Sequence, residues 1–260
     1  MFWKSNLDTP VDWKVVRCNG SDSQTMTVPG VSVLVSYIQP FQGSVLLAGA
    51  RCSWHSKGPE QNAFVVDWDA KVVRRFTVGD GINDLRVTAD GDVWASYFDE
   101  GVFGNHGWSS PGPPGIGSSG LVRFDPYGKI LFTYDAATAC TDSICDAYAM
   151  NAADDGDIWV YFYTEFPIVR IRRGEYRAWK LGVAGAKALA VRQRQALLFG
   201  DYKRRSLARL VALEGEAARV IEEVQIEDES GDPMDGAVAY GRGDRLFFFK
   251  DRQAFVLNDW

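Results

Sequence analysis

The feature that most constrains the fold is an internal pattern that recurs along the chain. A short apolar run meets a Gly/Asp turn, then a second run rich in aromatic residues, a loop, and two further strand-like runs. The clearest copies start at Asp84 and at Asp146, and their second runs contain Trp94 and Trp159. Repeats of about 40–50 residues with four short strands each are typical of propeller blades. The sequence therefore predicts an all-β protein built as a β-propeller.

Five copies of the pattern fit into the chain, which predicts a single propeller domain over residues 1–260 with five four-stranded blades. The predicted blades occupy about residues 31–78, 82–135, 144–183, 186–227 and 235–258. Four aromatic residues at matching second-strand positions are predicted to form core between the blades: Trp94, Trp159, Phe199 and Phe247. The last blade has only three predicted strands of its own. We expect residues 11–18 to supply the fourth and close the ring, because an unpaired strand edge invites aggregation. The alternative is a six-bladed ring in which some loops contain weak strands.

Charge and composition exclude several classes of protein. The 260 residues carry a formal net charge of −6 and no basic stripe, which argues against nucleic-acid binding. No apolar stretch reaches the roughly 18–20 residues of a membrane span, and the first residues lack the apolar core of a signal peptide. Four cysteines are few for a disulfide framework. We therefore expect a soluble cytoplasmic protein, in which Cys140 and Cys145 pair only if the compartment is oxidising.

The copy that starts at Asp84 reads Asp-x-x-x-x-x-Asp-Gly-Asp-Val-Trp-x-x-Tyr. Over residues 82–180 the sequence resembles the repeats of streptogramin-lyase-like, NHL-type and sensor-kinase-type propellers. It is also similar to uncharacterised bacterial propellers with a Gly-Val-Phe-Gly-Asn-x-Gly-Trp stretch, here residues 101–108. These families include lyases, lactonases, sugar binders and docking platforms, so the resemblance implies the fold and not one function. Streptogramin lyases use His and Glu around a metal, and that chemistry is not transferred because this chain has only His55 and His106.

Acidic residues recur where the first strand of a predicted blade begins. In a propeller these positions surround the mouth of the central channel, and here they are Ser32, Asp84, Asp146, Lys187 and Asp235. Converging carboxylates repel each other, so they need a cation, a shared proton or a basic partner. We therefore expect Asp84, Asp146 and Asp235 to hold a Ca²⁺-like ion or to be neutralised by Lys187. The alternative is structural, because aspartate commonly hydrogen-bonds the backbone at turns.

One connection is much longer than most others: residues 99–120, between the second and third strands of the second blade. Long loops in compact domains are commonly functional. This loop contains Phe103, Asn105, His106 and Trp108, which suit a flat ligand or a sugar through stacking and hydrogen bonds. The alternative is a loop that only plugs the channel mouth. Its Gly-x-Gly-x-x-Gly stretch, residues 115–120, does not predict a dinucleotide site, because a strand is expected to follow it instead of a helix.

Three functions remain open at this stage. The first is a binding propeller for a small polar or aromatic ligand, in an acidic pocket covered by residues 99–120. The residues predicted to contact that ligand are Asp235, Lys187, Asp99, Glu100, Glu165, Asn105, Trp108 and Phe103. The second is a lyase or hydrolase for a small natural product, with Asp84, Asp146 or Asp235 as base or metal ligand and His106 as acid. The third is a protein-docking platform, which would display an exposed apolar patch instead of a polar cavity.

Overall fold

A computed structural model describes residues 6–153 and 155–260 of the chain. The chain forms two compact units, residues 1–134 and 135–260, and each is described by itself below. That a single domain spans residues 1–260 stays a prediction. In the described ranges, no helix is long and apolar enough to cross a membrane.

The first unit contains an N-terminal hairpin and two four-stranded antiparallel sheets, which are the first two blades. Its strands are β1 (Asn6–Asn19), β2 (Asp22–Val33), β3 (Val35–Phe41), β4 (Ser44–Gly49), β5 (Trp54–His55), β6 (Gly58–Pro59), β7 (Ala63–Val66), β8 (Val72–Phe76), β9 (Ile82–Val87), β10 (Val93–Tyr97), β11 (Leu121–Phe124) and β12 (Ile130–Thr133). The blades are β3-β4-β7-β8 and β9-β10-β11-β12. The short helix α1 (Asp99–Phe103) and the 3₁₀ turn Ile116–Ser119 lie between β10 and β11.

The second unit contains the other three blades and one short helix, α2 (Ala136–Ala139). Its strands are β13 (Asp146–Ala152), β14 (Ile158–Tyr163), β15 (Ile168–Arg172), β16 (Glu175–Trp179), β17 (Ala188–Arg192), β18 (Gln195–Phe199), β19 (Leu207–Glu214), β20 (Ala217–Gln225), β21 (Val238–Arg242), β22 (Arg245–Lys250) and β23 (Gln253–Leu257). The sheets β13–β16 and β17–β20 have four strands, whereas β21–β23 has three. Each sheet is antiparallel and follows chain order.

The N-terminal segment differs from the prediction. The strand expected to complete the fifth blade, residues 11–18, lies within β1, and β1 pairs with β2. The reason is local: Asn19 and Asp22 are paired across a two-residue turn in which Gly20 has φ +61°. The turn residues are Gly20 and Ser21, and glycine at the first turn position permits the positive φ that a two-residue hairpin needs. The alternating burial of Met26, Val28, Val31 and Val33 then fixes one face of β2 against the core of the first unit.

The predicted turns and most of the predicted core are confirmed. Glycines 91, 156 and 243 occupy positive-φ positions at the hairpins where Gly-Asp pairs were expected. Trp94, Trp159 and Phe199 are buried as predicted. Phe247 is only partly buried, because its neighbours Leu246 and Phe248 fill the core of the last sheet instead. Alternate residues of a strand face opposite sides, so the prediction for that strand is wrong by one residue.

Candidate functional site

Asp84 is the third residue of β9, the first strand of the second blade, and its carboxylate is hydrogen-bonded within the protein. Only 5% of the residue is exposed. One oxygen accepts the Leu85 N–H at 2.8 Å, and the other accepts the Arg86 guanidinium at 2.9 Å. Burial raises the pKa of Asp84 to about 6, although the Arg86 charge opposes the rise. The basic partner of Asp84 is therefore Arg86, and not Lys187 as the sequence predicted.

The long loop is anchored at its start by a buried arginine. Arg51 follows β4, and its guanidinium contacts the carboxylates of Asp80 at 3.0 Å and of Glu100. Burial raises the pKa of Asp80, while the Cys52 N–H and the Arg51 charge act against the rise. Burial also acts to raise the pKa of Glu100, but hydrogen bonds from Arg51 and Asn105 outweigh it and lower that pKa. Asp80 was missed by the sequence analysis because nothing local marks it as the partner of a residue 29 positions earlier.

The loop residues proposed to bind a ligand have different surroundings. Trp108 is only 4% exposed, its indole N–H donates to the Cys52 carbonyl at 2.7 Å, and its ring lies 5.2 Å from that of Trp54. Asn105 and His106 are partly buried, whereas Phe103 is 65% exposed. Asp99 is also exposed, and its carboxylate accepts the Glu100 N–H. Residues 99–120 are therefore an ordered element whose largest ring packs inside the first unit.

In the second unit, the Asp146 carboxylate acts electrostatically on Lys187, the residue predicted to neutralise it. The Lys187 ammonium sits over the Tyr148 ring, 4.0 Å from its centre. Partial desolvation lowers the pKa of Lys187, and the Asp146 carboxylate opposes that change. The Tyr148 hydroxyl is hydrogen-bonded to that of Tyr202 at 2.8 Å. We call Asp146, Tyr148, Lys187 and Tyr202 the lysine–tyrosine cluster.

Aromatic side chains extend this cluster towards solvent. The Phe166 ring centre lies 5.1 Å from that of Tyr148 and 6.4 Å from that of Tyr202. Tyr163 packs edge-on against Phe166 at 5.7 Å and is 47% exposed, and Tyr202 is 59% exposed. Exposed aromatic faces beside an ammonium group and two hydroxyls offer both stacking and hydrogen bonding to a small ligand.

A cavity of about 520 Å³ adjoins Tyr202. Its polar wall is an ion-pair network in which Arg209 donates to Asp201 at 2.8 Å and to Glu223 at 2.6 Å. Burial acts to raise the pKa of Asp201, but the Arg204 N–H and the Arg209 guanidinium outweigh it, so the pKa falls to about 2. Lys203 and Arg204 line the same cavity. Its volume lies within the range of small-molecule sites.

Two further predicted residues, Asp235 and Glu165, are not among the four residues of this cluster. Asp235 is exposed after β20, and Glu165 is exposed beside a different cavity of the second unit. Among residues 6–153 and 155–260, no group of three or more His, Cys, Asp or Glu side chains is placed to hold a metal ion. A Ca²⁺ site at Asp84, Asp146 and Asp235 therefore has no support from the described residues and stays a prediction.

Comparison with known proteins places the chain in a family. A model of the YxzG family matches residues 119–256, which is more than half of the sequence. The chain belongs to the YxzG family. A comparison of this YxzG-family chain with curated proteins finds no match.

Solved structures similar to this YxzG-family chain establish its fold. Streptogramin B lyase matches with a TM-score of 0.52 at 10% identity, covering 99% of this chain and 85% of the lyase. The WD40 propeller domain of Doa1 gives 0.52 at 9% identity, covering 95% and 72%. A chain of the mitotic checkpoint complex gives 0.59 at 9% identity, covering 95% and 68%. Together with the five blade sheets, these similarities show an all-β propeller, as predicted, and at such low identity they carry no function.

Proposed function

We propose that this protein is a ligand-binding propeller whose site is the lysine–tyrosine cluster, and that the ligand is a small flat molecule with an acidic group. The observation that carries the proposal is the placement of the Lys187 ammonium over Tyr148, beside the exposed ring of Tyr202. The acidic pocket under residues 99–120 is not part of this proposal, because Trp108 and Glu100 are used in holding that loop.

The ligand class follows from the chemistry of the cluster. A partly desolvated ammonium gains most from a negatively charged partner, because a charge-assisted hydrogen bond replaces part of its lost hydration. Phe166, Tyr163 and Tyr202 offer partly exposed rings, and aromatic rings stack on flat ligands. The hydroxyl groups of Tyr148 and Tyr202 add polar contacts at the same place. An aromatic carboxylate satisfies all three features, whereas a neutral sugar would use only the stacking and the hydroxyls.

The test compares charged and neutral forms of one probe. Binding of 4-hydroxybenzoate and of its amide is measured by saturation-transfer NMR and calorimetry, with glucose as a sugar probe. We expect the carboxylate to bind at least about tenfold more tightly than the amide, since a charge-assisted hydrogen bond contributes about 1.5–3 kcal/mol. Lys187→Met should remove this preference, and Tyr202→Leu should weaken both ligands.

Matched controls come from the first unit. Lys14 and Tyr127 are exposed residues there, so Lys14→Met and Tyr127→Leu should leave the affinity unchanged. Equal affinity for the acid and its amide, or the same loss in Lys14→Met as in Lys187→Met, would reject the proposed site. Tighter binding of glucose than of the carboxylate would replace the ligand class with carbohydrates.

A further inference from the structure

A second cavity of the second unit is lined by none of the four residues of the lysine–tyrosine cluster. It has a volume of about 940 Å³ and is bounded by residues 138–142, by β16 and the residues after it, and by the turn at residues 215–216. Cavities of this size accommodate a drug-sized ligand. Of its lining residues, Glu165 was predicted from the sequence to contact a ligand, but in a different pocket.

The cavity has apolar residues beneath a charged rim. Ala139 and Leu181 are buried lining residues, and Pro167 lies with them. Such a surface accepts an apolar side chain of a ligand, because burial of apolar area releases water.

The rim carries charges of both signs. Arg177 and Lys180 provide positive charge, and Asp142, Glu165 and Glu216 provide negative charge. Arg177 also donates to the Gly215 carbonyl at 3.4 Å and lies over the Trp179 ring, which holds it beside the turn. The Lys180 N–H donates to the Glu216 carbonyl at 3.0 Å, so strand pairing places this lysine next to this glutamate along the wall.

The charged side chains of the rim do not form salt bridges with each other. In the described part of the chain, none of Glu165, Arg177, Lys180 and Glu216 forms a salt bridge within 4.0 Å. By contrast, the acids of the 520 Å³ cavity are neutralised by Arg204 and Arg209. A ligand that carries both a cation and an anion therefore finds a group of opposite charge on this rim for each of its own charges.

We propose that the 940 Å³ cavity is a second binding site, which takes a short zwitterionic peptide with an apolar side chain. The peptide ammonium lies against Glu165 and Glu216, its carboxylate against Arg177 and Lys180, and its apolar side chain on Ala139 and Leu181. A free amino acid would fill little of this volume, so about two or three residues fit the cavity best. The charges of both signs beside buried apolar residues select this class of ligand.

The probe is the dipeptide Leu-Ala, compared with N-acetyl-Leu-Ala, which lacks the ammonium, and with Leu-Ala amide, which lacks the carboxylate. We expect saturable binding of Leu-Ala in calorimetry and in ¹⁵N chemical shifts of residues 138–142 and 215–216. Each blocked peptide should bind at least about tenfold more weakly, because one charged contact is lost. Absence of saturable Leu-Ala binding at millimolar concentration, or equal binding of all three peptides, overturns the proposal.

Two double variants assign the charges. Glu165→Gln/Glu216→Gln should erase the difference between Leu-Ala and its N-acetyl form, and Arg177→Gln/Lys180→Gln should erase the difference from the amide. Glu229 and Lys14 are exposed residues elsewhere, so Glu229→Gln and Lys14→Gln are the matched controls. Circular dichroism and thermal unfolding confirm that each variant is folded. A control variant that weakens Leu-Ala as much as the double variants do would overturn the assignment.

This site is independent of the proposed function, and one further variant separates the two. Lys187→Met should abolish the carboxylate preference of the lysine–tyrosine cluster while leaving Leu-Ala affinity unchanged. If Lys187→Met weakens Leu-Ala tenfold or more, the peptide is bound by the cluster and the second site is rejected. If 4-hydroxybenzoate fails to bind and Leu-Ala still shows the expected pattern, only the first proposal is lost.

Discussion

The ammonium of Lys187 lies 4.0 Å from the centre of the Tyr148 ring, with the Asp146 carboxylate acting on the same charge. The cation–π contact with the Tyr148 ring stabilises the ammonium, but burial in the surrounding protein removes part of the hydration of that ammonium. The net result is a lowered pKa, because loss of hydration disfavours the charged form. These three residues therefore form a unit whose protonation can be measured directly.

We predict that Asp146→Asn lowers the pKa of Lys187 further, since the carboxylate raises it in the wild type. The measurement is a ¹³Cε NMR titration of the lysines, with the Lys187 signal assigned by its absence in Lys187→Arg. In wild-type protein this signal should titrate below the midpoint found for the urea-unfolded chain. A midpoint that rises or stays constant in Asp146→Asn would show that the carboxylate does not act on this lysine.

A second prediction concerns Asp84, whose folded-state pKa of about 6 lies above the ordinary value of 3.8. The folded protein then binds more protons at this site than the unfolded chain does between these two pH values. The contribution of Asp84 to stability is therefore fully present below about pH 4 and is lost as pH rises through about 6. The shift corresponds to a loss of about 3 kcal/mol at most.

The measurement is the free energy of unfolding of the wild type and Asp84→Asn at several pH values. We expect the wild type to lose stability relative to the variant as pH rises from about 4 to 7, because asparagine does not ionise. Asp201 is a useful comparison, because its pKa is lowered to about 2. Asp201→Asn should show no such change between pH 4 and 7. A wild-type advantage that stays constant across this range would contradict the buried-carboxyl interpretation.

The blades were predictable from the sequence because the signals that define them are local. Period-two burial and positive-φ glycines at turns, such as Gly91 and Gly156, locate strands without knowledge of their neighbours. The stretch from 206 to 220 has fair helical spacing, yet it forms β19 and β20, as the repeat register predicted. The hairpin of β1 and β2 was missed because the Gly20-Ser21 turn was not weighed against the expected closure of the last blade.

The sites were less predictable because their contacts join distant positions. Tyr148 and Tyr202 are 54 residues apart, and Arg51 and Glu100 are 49 apart. Packing between neighbouring blades brings such pairs together, and a single sequence does not encode which side chains meet there. Trp108 was predicted to contact a ligand, but its ring is buried within the first unit. An aromatic residue in a long loop has the same sequence signal whether it stacks on a ligand or packs in a core.

A third prediction tests the anchor of residues 99–120. Arg51→Met leaves the carboxylate of Asp80 buried without its cation, which should cost about 3–5 kcal/mol of unfolding free energy. The amides of residues 99–105 should also exchange faster, because Glu100 loses its guanidinium partner. Arg204→Met is the control, since the Arg204–Glu223 pair is exposed and should contribute less than about 1 kcal/mol. Equal effects of the two substitutions would show that the Arg51 pair is not a buried anchor.

The last prediction concerns the indole N–H of Trp108, which donates to the buried carbonyl of Cys52 at 2.7 Å. Trp108→Phe retains an aromatic ring beside Trp54 but removes the donor, so a buried acceptor loses its partner at a cost of about 1–3 kcal/mol. Trp108→Ala also leaves a cavity, which raises the cost to about 3–5 kcal/mol.

Trp260 is the matched control for Trp108, because its indole donates to the Asp244 carbonyl at the same 2.7 Å distance but at an exposed site. Water replaces that donor in Trp260→Phe, so urea unfolding should show a smaller loss there than in Trp108→Phe. The opposite order would mean that Trp108 is not part of the loop core, and it would again be a candidate for ligand stacking.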